Sequence, residues 1–138
     1  MRRVRRPLLA LIALVAALGI GYGVQATQHD GPAPAPSTAR TVGGLRSVAL
    51  SALPAQVAQT LRRIQDGGPF PYPHNDGVVF HNLERHLPGE PDGWYREYTV
   101  PTPGSADRGA RRVVVGRTGT AYYTADHYES FVIVDAAR

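Results

Sequence analysis

At 138 residues the chain has room for one globular domain around a single core, which excludes a large multidomain enzyme. All 15 basic residues are Arg, set against 11 Asp plus Glu for a formal charge of +4, yet Arg2, Arg3, Arg5 and Arg6 crowd the start and residues 7–138 carry no net charge. Any anionic ligand is therefore held by a local cluster rather than by overall charge, and the absence of cysteine excludes disulfides, zinc fingers, iron–sulfur sites and thiol nucleophiles together.

The first four arginines precede an uncharged apolar stretch, Leu8–Val24, which is the pattern of an export signal. Val24-Gln25-Ala26 puts small or tolerated residues at the cleavage positions, so residues 1–26 read as a signal peptide cut after Ala26. Left uncut, the same segment is a signal anchor at the lower edge of a bilayer span, with its arginines inside. Either way the C-terminal part leaves the cytoplasm, and the export route stays open because the flanks of the paired arginines match a twin-arginine signal poorly. Residues 27–44 alternate Pro and Ala among small polar residues with almost nothing to bury, and read as a semi-stiff linker. Residues 45–138 are then the folded domain, at the small end of what folds alone.

From Ala52 the spacing predicts a helix: Pro54 suits its first turn, Val57, Leu61 and Ile64 recur on one face, and Gly67-Gly68 ends it. Beyond Gly68 come short β-rich runs parted by Pro, Gly, Asn and Asp: Val78–Asn82, Trp94–Val100, Arg111–Val115, Tyr122–Thr124 and Tyr128–Val134. No second helix intervenes, so parallel crossovers are not expected. The predicted fold class is α+β, one N-terminal helix packed on an antiparallel sheet.

Period-2 alternation puts Tyr95, Glu97 and Thr99 on one face of the second run and Tyr98 and Val100 on the other, so Glu97 is expected to face away from the core. A single carboxylate there is ordinarily a solubilising group. Arg108, Arg111 and Arg112 cluster at the entry to the next run, as either a solvated strand end or an anion clamp whose guanidinium forks match phosphate oxygens. The three consecutive valines that follow leave open whether Arg111 or Arg112 points with Glu97. His127 stands where the last run begins, while His29, His74, His81 and His86 read as surface residues. His81, Glu84 and His86 resemble a zinc signature only superficially, because the spacing is wrong and the segment is strand and loop; no metal or cofactor is expected. In an antiparallel meander the carboxylate, the arginines and the imidazole are neighbours. A carboxylate base and an imidazole acid across an Arg-lined phosphate site are what in-line cleavage at a ribose 2′-hydroxyl requires.

Six blocks carry a resemblance in the same order over residues 47–135: Leu-Ser-Ala-Leu-Pro (50–54), Gly-Pro-Phe-Pro-Tyr (68–72), Asp-Gly-Val-Val-Phe (76–80), Glu-Tyr-Thr-Val (97–100), Arg-Gly-Ala-Arg-Arg (108–112) and Asp-His-Tyr (126–128). The chain resembles the microbial guanyl-specific ribonucleases, in their small secreted bacterial branch. The resemblance implies that Glu97 is the general base taking the 2′-hydroxyl proton and His127 the general acid protonating the leaving 5′-oxygen. The 2′,3′-cyclic phosphate left behind is hydrolysed to the 3′-phosphate with the roles exchanged. It implies that Arg108 and Arg112 hold the scissile phosphate, with the Tyr128 hydroxyl touching the same group. For guanine it implies a buried Glu84 carboxylate accepting from N1–H and the 2-amino group, backbone amides around Asn82 and Leu83 serving O6, and Phe80 and Tyr72 stacking on the base. Phe80 as a core residue and Tyr72 as a brace for the Pro-rich loop remain the plain alternatives.

The chain also departs from that family. Ala49 and the segment around Arg138 lack the cysteine pair by which near relatives tie their ends, a bridge whose loss typically costs about 2–5 kcal/mol. Leu83 replaces a larger residue over the base, Pro73-His74-Asn75 lengthens a loop, and Ala106 replaces a basic residue. The expected function is a secreted endoribonuclease cutting single-stranded RNA 3′ of guanosine, monomeric and restrained in its own cell by an acidic, barstar-like inhibitor. The alternatives are a catalytically weakened ribonuclease-fold RNA-binding module and a membrane-tethered toxin that keeps the apolar segment.

Overall fold

The computed structural model describes residues 40–138; the export segment and the linker up to residue 39 lie outside the described residues. Two short strands lead, β1 (Thr41–Val42) and β2 (Leu45–Ala49), followed by a turn of 3-10 helix at Leu50–Ala52 and the helix α1 (Ala55–Asp66). Five strands complete the chain: β3 (Val78–Phe80), β4 (Tyr95–Thr99), β5 (Arg112–Gly116), β6 (Ala121–Thr124) and β7 (Val132–Asp135). They form one sheet in the order β1-β2-β7-β6-β5-β4-β3.

Helix α1 forms where its apolar spacing demands it. Val57 is fully buried, Leu61 and Ile64 pack against the same cluster, and Gly67 ends the helix at φ 76°, a left-handed turn that glycine enters without a Cβ clash. Between helix and sheet, Val57 meets Val100, Val113, Ala121, Tyr123 and Val134. The opposite face of the sheet carries a second cluster of Leu87, Tyr95, Val114, Tyr122 and Phe131. Val113 and Val114 are both fully buried because each faces one of these two clusters, so their hydrophobicity carries no parity signal.

The meander β3 to β7 is antiparallel throughout, whereas β2 pairs with β7 in parallel, Ser47 opposite Ile133 and Ala49 opposite Asp135. The helix and the antiparallel meander that follows it are as expected, and the parallel strand β2 ahead of the helix is an addition to them. Strand β2 precedes the helix, α1 carries the chain to the far edge, and the meander returns until β7 runs beside β2. The expected linker also ends early, since Thr41 and Val42 pair with Arg46 and Leu45. The pairing of β2 with β7 and the Ser51 N–H to Arg138 C=O bond (3.2 Å) join the regions that the family's disulfide would tie.

Two further expectations are corrected. The face bearing Glu97 is not a solvent face, because Tyr95 on that side is buried in the second cluster and the Glu97 side chain is only 15% exposed. Residues Asp126 to Ser130 form a turn rather than the start of a strand, and β7 begins at Val132. The cause is local: the Thr124 hydroxyl and Asp126 carboxylate capture nearby backbone amides that a strand would have paired.

Candidate active site

Strand β4 sets Glu97 at the centre of the second face. The register places Val114 opposite Glu97 and Arg112 opposite Thr99, so it is Arg112, not Arg111, that shares the face of Glu97. Arg112 is 2% exposed, and its Nη1 donates to the carbonyls of Gly109 (2.9 Å) and Arg111 (2.8 Å). Arg108 reaches the same place from the preceding loop. Its Nε donates to Thr99 Oγ1 (2.9 Å), its Nη2 lies 3.9 Å from Glu97 Oε1, and its guanidinium stands 5.9 Å from the centre of the Tyr72 ring. Arg108 Nη2 and Arg112 Nε are buried donors without a hydrogen-bond partner. Buried donors are nearly always satisfied, so two such groups beside a carboxylate mark a place built to take anionic oxygens.

Tyr128 closes the other side. Its hydroxyl donates to Glu97 Oε2 at 2.6 Å, and burial, reinforced by that carboxylate, pushes the phenol up to about 12. His127 is exposed, with its ring centre 5.0 Å from that of Tyr128. Both residues have left-handed backbone, φ 58° and 75°, which is unusual for bulky side chains and persists only where surrounding contacts enforce it. Those contacts are explicit. The amide of His127 donates to Ala110 C=O (3.1 Å), that of Tyr128 to Thr124 Oγ1 (3.0 Å), and that of Ser130 to Asp126 Oδ1 (2.9 Å). Hydrogen bonds from the Ser130 hydroxyl and backbone hold the Asp126 carboxyl below the usual range.

A cleft of about 300 Å³ opens next to Glu97 and Tyr128, lined by Phe80, Asn82, Leu83, Glu84 and His86 among others. Phe80 stacks on Tyr128 (5.3 Å, 29°) and meets Phe131 edge-on (5.9 Å), so one aromatic wall serves both the cleft and the Glu97 side. Asn82, at φ 49°, spends its side chain on the loop, donating to Leu87 C=O (2.9 Å) and accepting from Leu87 N–H (3.0 Å). Leu83 is 87% exposed at the rim. The Glu84 carboxylate, expected to be buried, is 75% exposed and accepts from His86 Nε2 (2.9 Å). His81 pairs instead with Asp92 (2.7 Å), so the two imidazoles take separate carboxylates.

The structure thus brings Glu97, Arg108, Arg112 and Tyr128 together, sets His127 beside them, and gathers Phe80, Asn82, Leu83 and Glu84 around the adjoining cleft. Tyr72 stands apart from the lining of that cleft, against Arg108. Sequence reasoning passed over Asp126 and Thr124, whose side chains shape the His127 turn, and over Asp76. The last is 8% exposed and accepts from the amides of Tyr72 (3.1 Å) and Thr99 (2.7 Å), tying the Tyr72 loop to β4. Asp beside Gly after a Pro-rich loop, and Thr-x-Asp at a strand end, are turn signals that could have found them.

The chain is similar to known ribonucleases. The ribonuclease family model matches residues 35–135. Guanyl-specific ribonuclease Sa3 of Kitasatospora aureofaciens is 54% identical over 98 residues, 70% of this chain and 69% of that one. Guanyl-specific ribonuclease St of Saccharopolyspora erythraea is 53% identical over 88 residues, 64% of this chain and 86% of that one. Among solved structures, ribonuclease Sa2 with guanosine-2′-cyclophosphate superposes with a TM-score of 0.65 at 47% identity, over 68% of this chain and 99% of that one. Ribonuclease Sa2 with 3′-GMP gives 0.62 at 44% identity, over 67% and 98%.

Proposed function

The chain belongs to the microbial guanyl-specific ribonuclease family, and from that premise we propose that it is an endoribonuclease cutting single-stranded RNA 3′ of guanosine. The observation that carries the reading is the pair of unpartnered buried donors, Arg108 Nη2 and Arg112 Nε, beside the Glu97 carboxylate. A phosphodiester seated there satisfies both and meets a base at the same point.

The first step is transphosphorylation. The Glu97 carboxylate takes the proton of the 2′-hydroxyl as that oxygen attacks phosphorus, and Arg108 and Arg112 neutralise the charge growing on the non-bridging oxygens. The bond to the 5′-oxygen breaks, and His127, at the exposed rim, delivers a proton to it. A 2′,3′-cyclic phosphate and a free 5′-hydroxyl leave the step. In the second step His127 takes a proton from water, the water oxygen attacks phosphorus, the bond from phosphorus to the 2′-oxygen breaks, and Glu97 returns its proton to that oxygen, giving the 3′-phosphate. The positive charge at the reacting centre comes from the guanidiniums, so no metal enters the scheme. Tyr128, donating to Glu97 Oε2, fixes the orientation in which the carboxylate meets the 2′-hydroxyl.

Guanine occupies the adjoining cleft, stacked on Phe80, with N1–H and the 2-amino group donating to Glu84 and backbone amides near Asn82 and Leu83 serving O6. Adenine lacks that pair of donors, so it is rejected where a carboxylate reads the edge. Tyr72 is reassigned from the base to the phosphate side, because its ring lies against Arg108.

The arginine-led apolar segment supports export, with release after Ala26. A mature chain starting at Thr27, read by mass spectrometry of the exported protein, supports the secreted form, and retention of residue 1 supports the tethered one. The paired cations also suit an acidic inhibitor of the barstar kind, which isothermal titration against such a protein tests. Cleavage itself is tested with GpC and ApC in EDTA: cyclic phosphate from GpC in strong preference to ApC supports the proposal, and no cleavage of either favours a binding module.

A further inference from the structure

The guanine-reading carboxylate stands at the tip of a loop between two residues of left-handed backbone, Asn82 (φ 49°) and Arg85 (φ 56°). Its side chain is 75% exposed, and among the described residues its one hydrogen bond is from His86 Nε2 to Oε2, at 2.9 Å. His86 is better anchored than its partner. The next residue, Leu87, is 3% exposed with its amide fixed by Asn82 Oδ1, and the imidazole packs 6.3 Å from the ring of Phe131, itself 7% exposed. Phe131 in turn touches Phe80 and Tyr128 (5.9 and 6.4 Å). A flexible carboxylate is thus tied, through an imidazole, to the aromatic wall that also supports the base and the Tyr128 hydroxyl.

We infer that His86 is a specificity-determining positioning residue, which holds the Glu84 carboxylate in the orientation that reads guanine. This rests on the base-reading role proposed for Glu84. A carboxylate offers about four lone-pair sites, and the His86 N–H occupies one of those on Oε2. Oε1 and the second lone pair of Oε2 are left for N1–H and the 2-amino group of the base. Without the imidazole, a solvent-exposed Glu side chain must be ordered when the substrate binds, a cost that converts to about two- to tenfold in affinity. That loss falls on substrates that use the carboxylate, and most on those that use both of its oxygens.

The test compares GpC, IpC and ApC as substrates of the unsubstituted protein, His86→Ala and His86→Gln. Inosine keeps N1–H and lacks the 2-amino group, so it separates one-oxygen from two-oxygen reading. In His86→Ala the KM for GpC is expected to rise about two- to tenfold with the change falling on KM rather than kcat, and the guanosine-over-inosine preference to shrink. The KM for ApC stays in place, and His86→Gln, whose amide also donates, recovers part of the loss. An unchanged KM for GpC overturns the inference, as do equal rises for GpC and ApC together with a lower Tm, which mark loop packing alone. An unsubstituted protein that cuts GpC and ApC alike overturns the base-reading role of Glu84 itself.

Discussion

The Tyr128 hydroxyl donates to Glu97 Oε2 at 2.6 Å while the Tyr128 ring stacks on Phe80 at 5.3 Å, so one side chain joins the base cleft to the proposed general base. Tyr128→Phe keeps the stack and removes the donor. A hydrogen bond to a charged group is worth about 1.5–3 kcal/mol, so kcat/KM for GpC is expected to fall about tenfold or more with the fold intact. The phenol is pushed up to about 12, chiefly by burial and then by Glu97, so the donor stays protonated through the neutral and mildly alkaline range. Its contribution to stability is complete below the ordinary Tyr value of about 10 and is lost as pH rises from there toward the raised value. Alkaline absorbance titration checks this: Tyr128→Phe should lose one late-ionising phenolate, while Tyr95, which burial also pushes up to about 12, goes on titrating late.

Glu97→Gln removes the proton acceptor while keeping shape and one hydrogen-bonding oxygen. General-base catalysis contributes about 10²–10⁴-fold, and the cyclisation rate of GpC is expected to drop by that order with Tm nearly unchanged. Cleavage at the unsubstituted rate would remove Glu97 from the role of base.

Arg112 is 2% exposed and already donates two bonds to loop carbonyls, while its Nε has no partner and is the donor proposed for the scissile phosphate. Lysine has a single charged nitrogen and cannot both hold the loop and reach the phosphate. Arg112→Lys is therefore expected to lower kcat by about 10²–10³, the usual cost of one preorganised donor at a developing oxyanion. Calorimetry should show a lower Tm as well, because the Gly109 and Arg111 carbonyls lose their partner. Arg108→Lys has a different signature: Thr99 Oγ1 and the Tyr72 ring lose the guanidinium, and the Tyr72 loop is still held to β4 by Asp76.

The helix and the meander were legible because their signals are local: a 3.6-residue stripe ending in glycines, then short runs with turn residues between them. Strand β2 was not, since Leu45–Ala49 is half-buried without clean alternation and its partner β7 lies at the other end of the chain. The face of Arg112 was hidden by a Val run buried on both sides. Glu97, Arg108, Arg112 and His127 could be proposed as site residues from chemistry and resemblance, but the contacts that support them in the fold could not be read. Residues such as Asp126 act through backbone amides, and a contact like His86 to Glu84 depends on a loop path that periodicity does not describe. The resemblance alone sets Tyr72 on the base, whereas the path of the Pro-rich loop puts its ring against Arg108.

The turn that presents His127 supplies a pH-dependent prediction away from the reacting atoms. Asp126 accepts from the Ser130 hydroxyl, the Ser130 amide and the Thr124 hydroxyl, and its carboxyl is lowered, most by the Ser130 hydroxyl. A lowered carboxyl stabilises the fold above its unfolded value, about 3.9 for Asp, and that stability is lost as pH falls through the lowered native value. Asp126→Asn keeps the size and loses the charge. The Tm difference between the two proteins should therefore be constant from neutral pH down to about 5, then shrink as the native carboxylate is protonated. Because His127 and Tyr128 hold left-handed backbone only under these bonds, the variant should also cut GpC more slowly at neutral pH, with kcat affected more than KM. A Tm difference that persists unchanged through the acid range would show that the turn is held by shape rather than by the Asp126 charge.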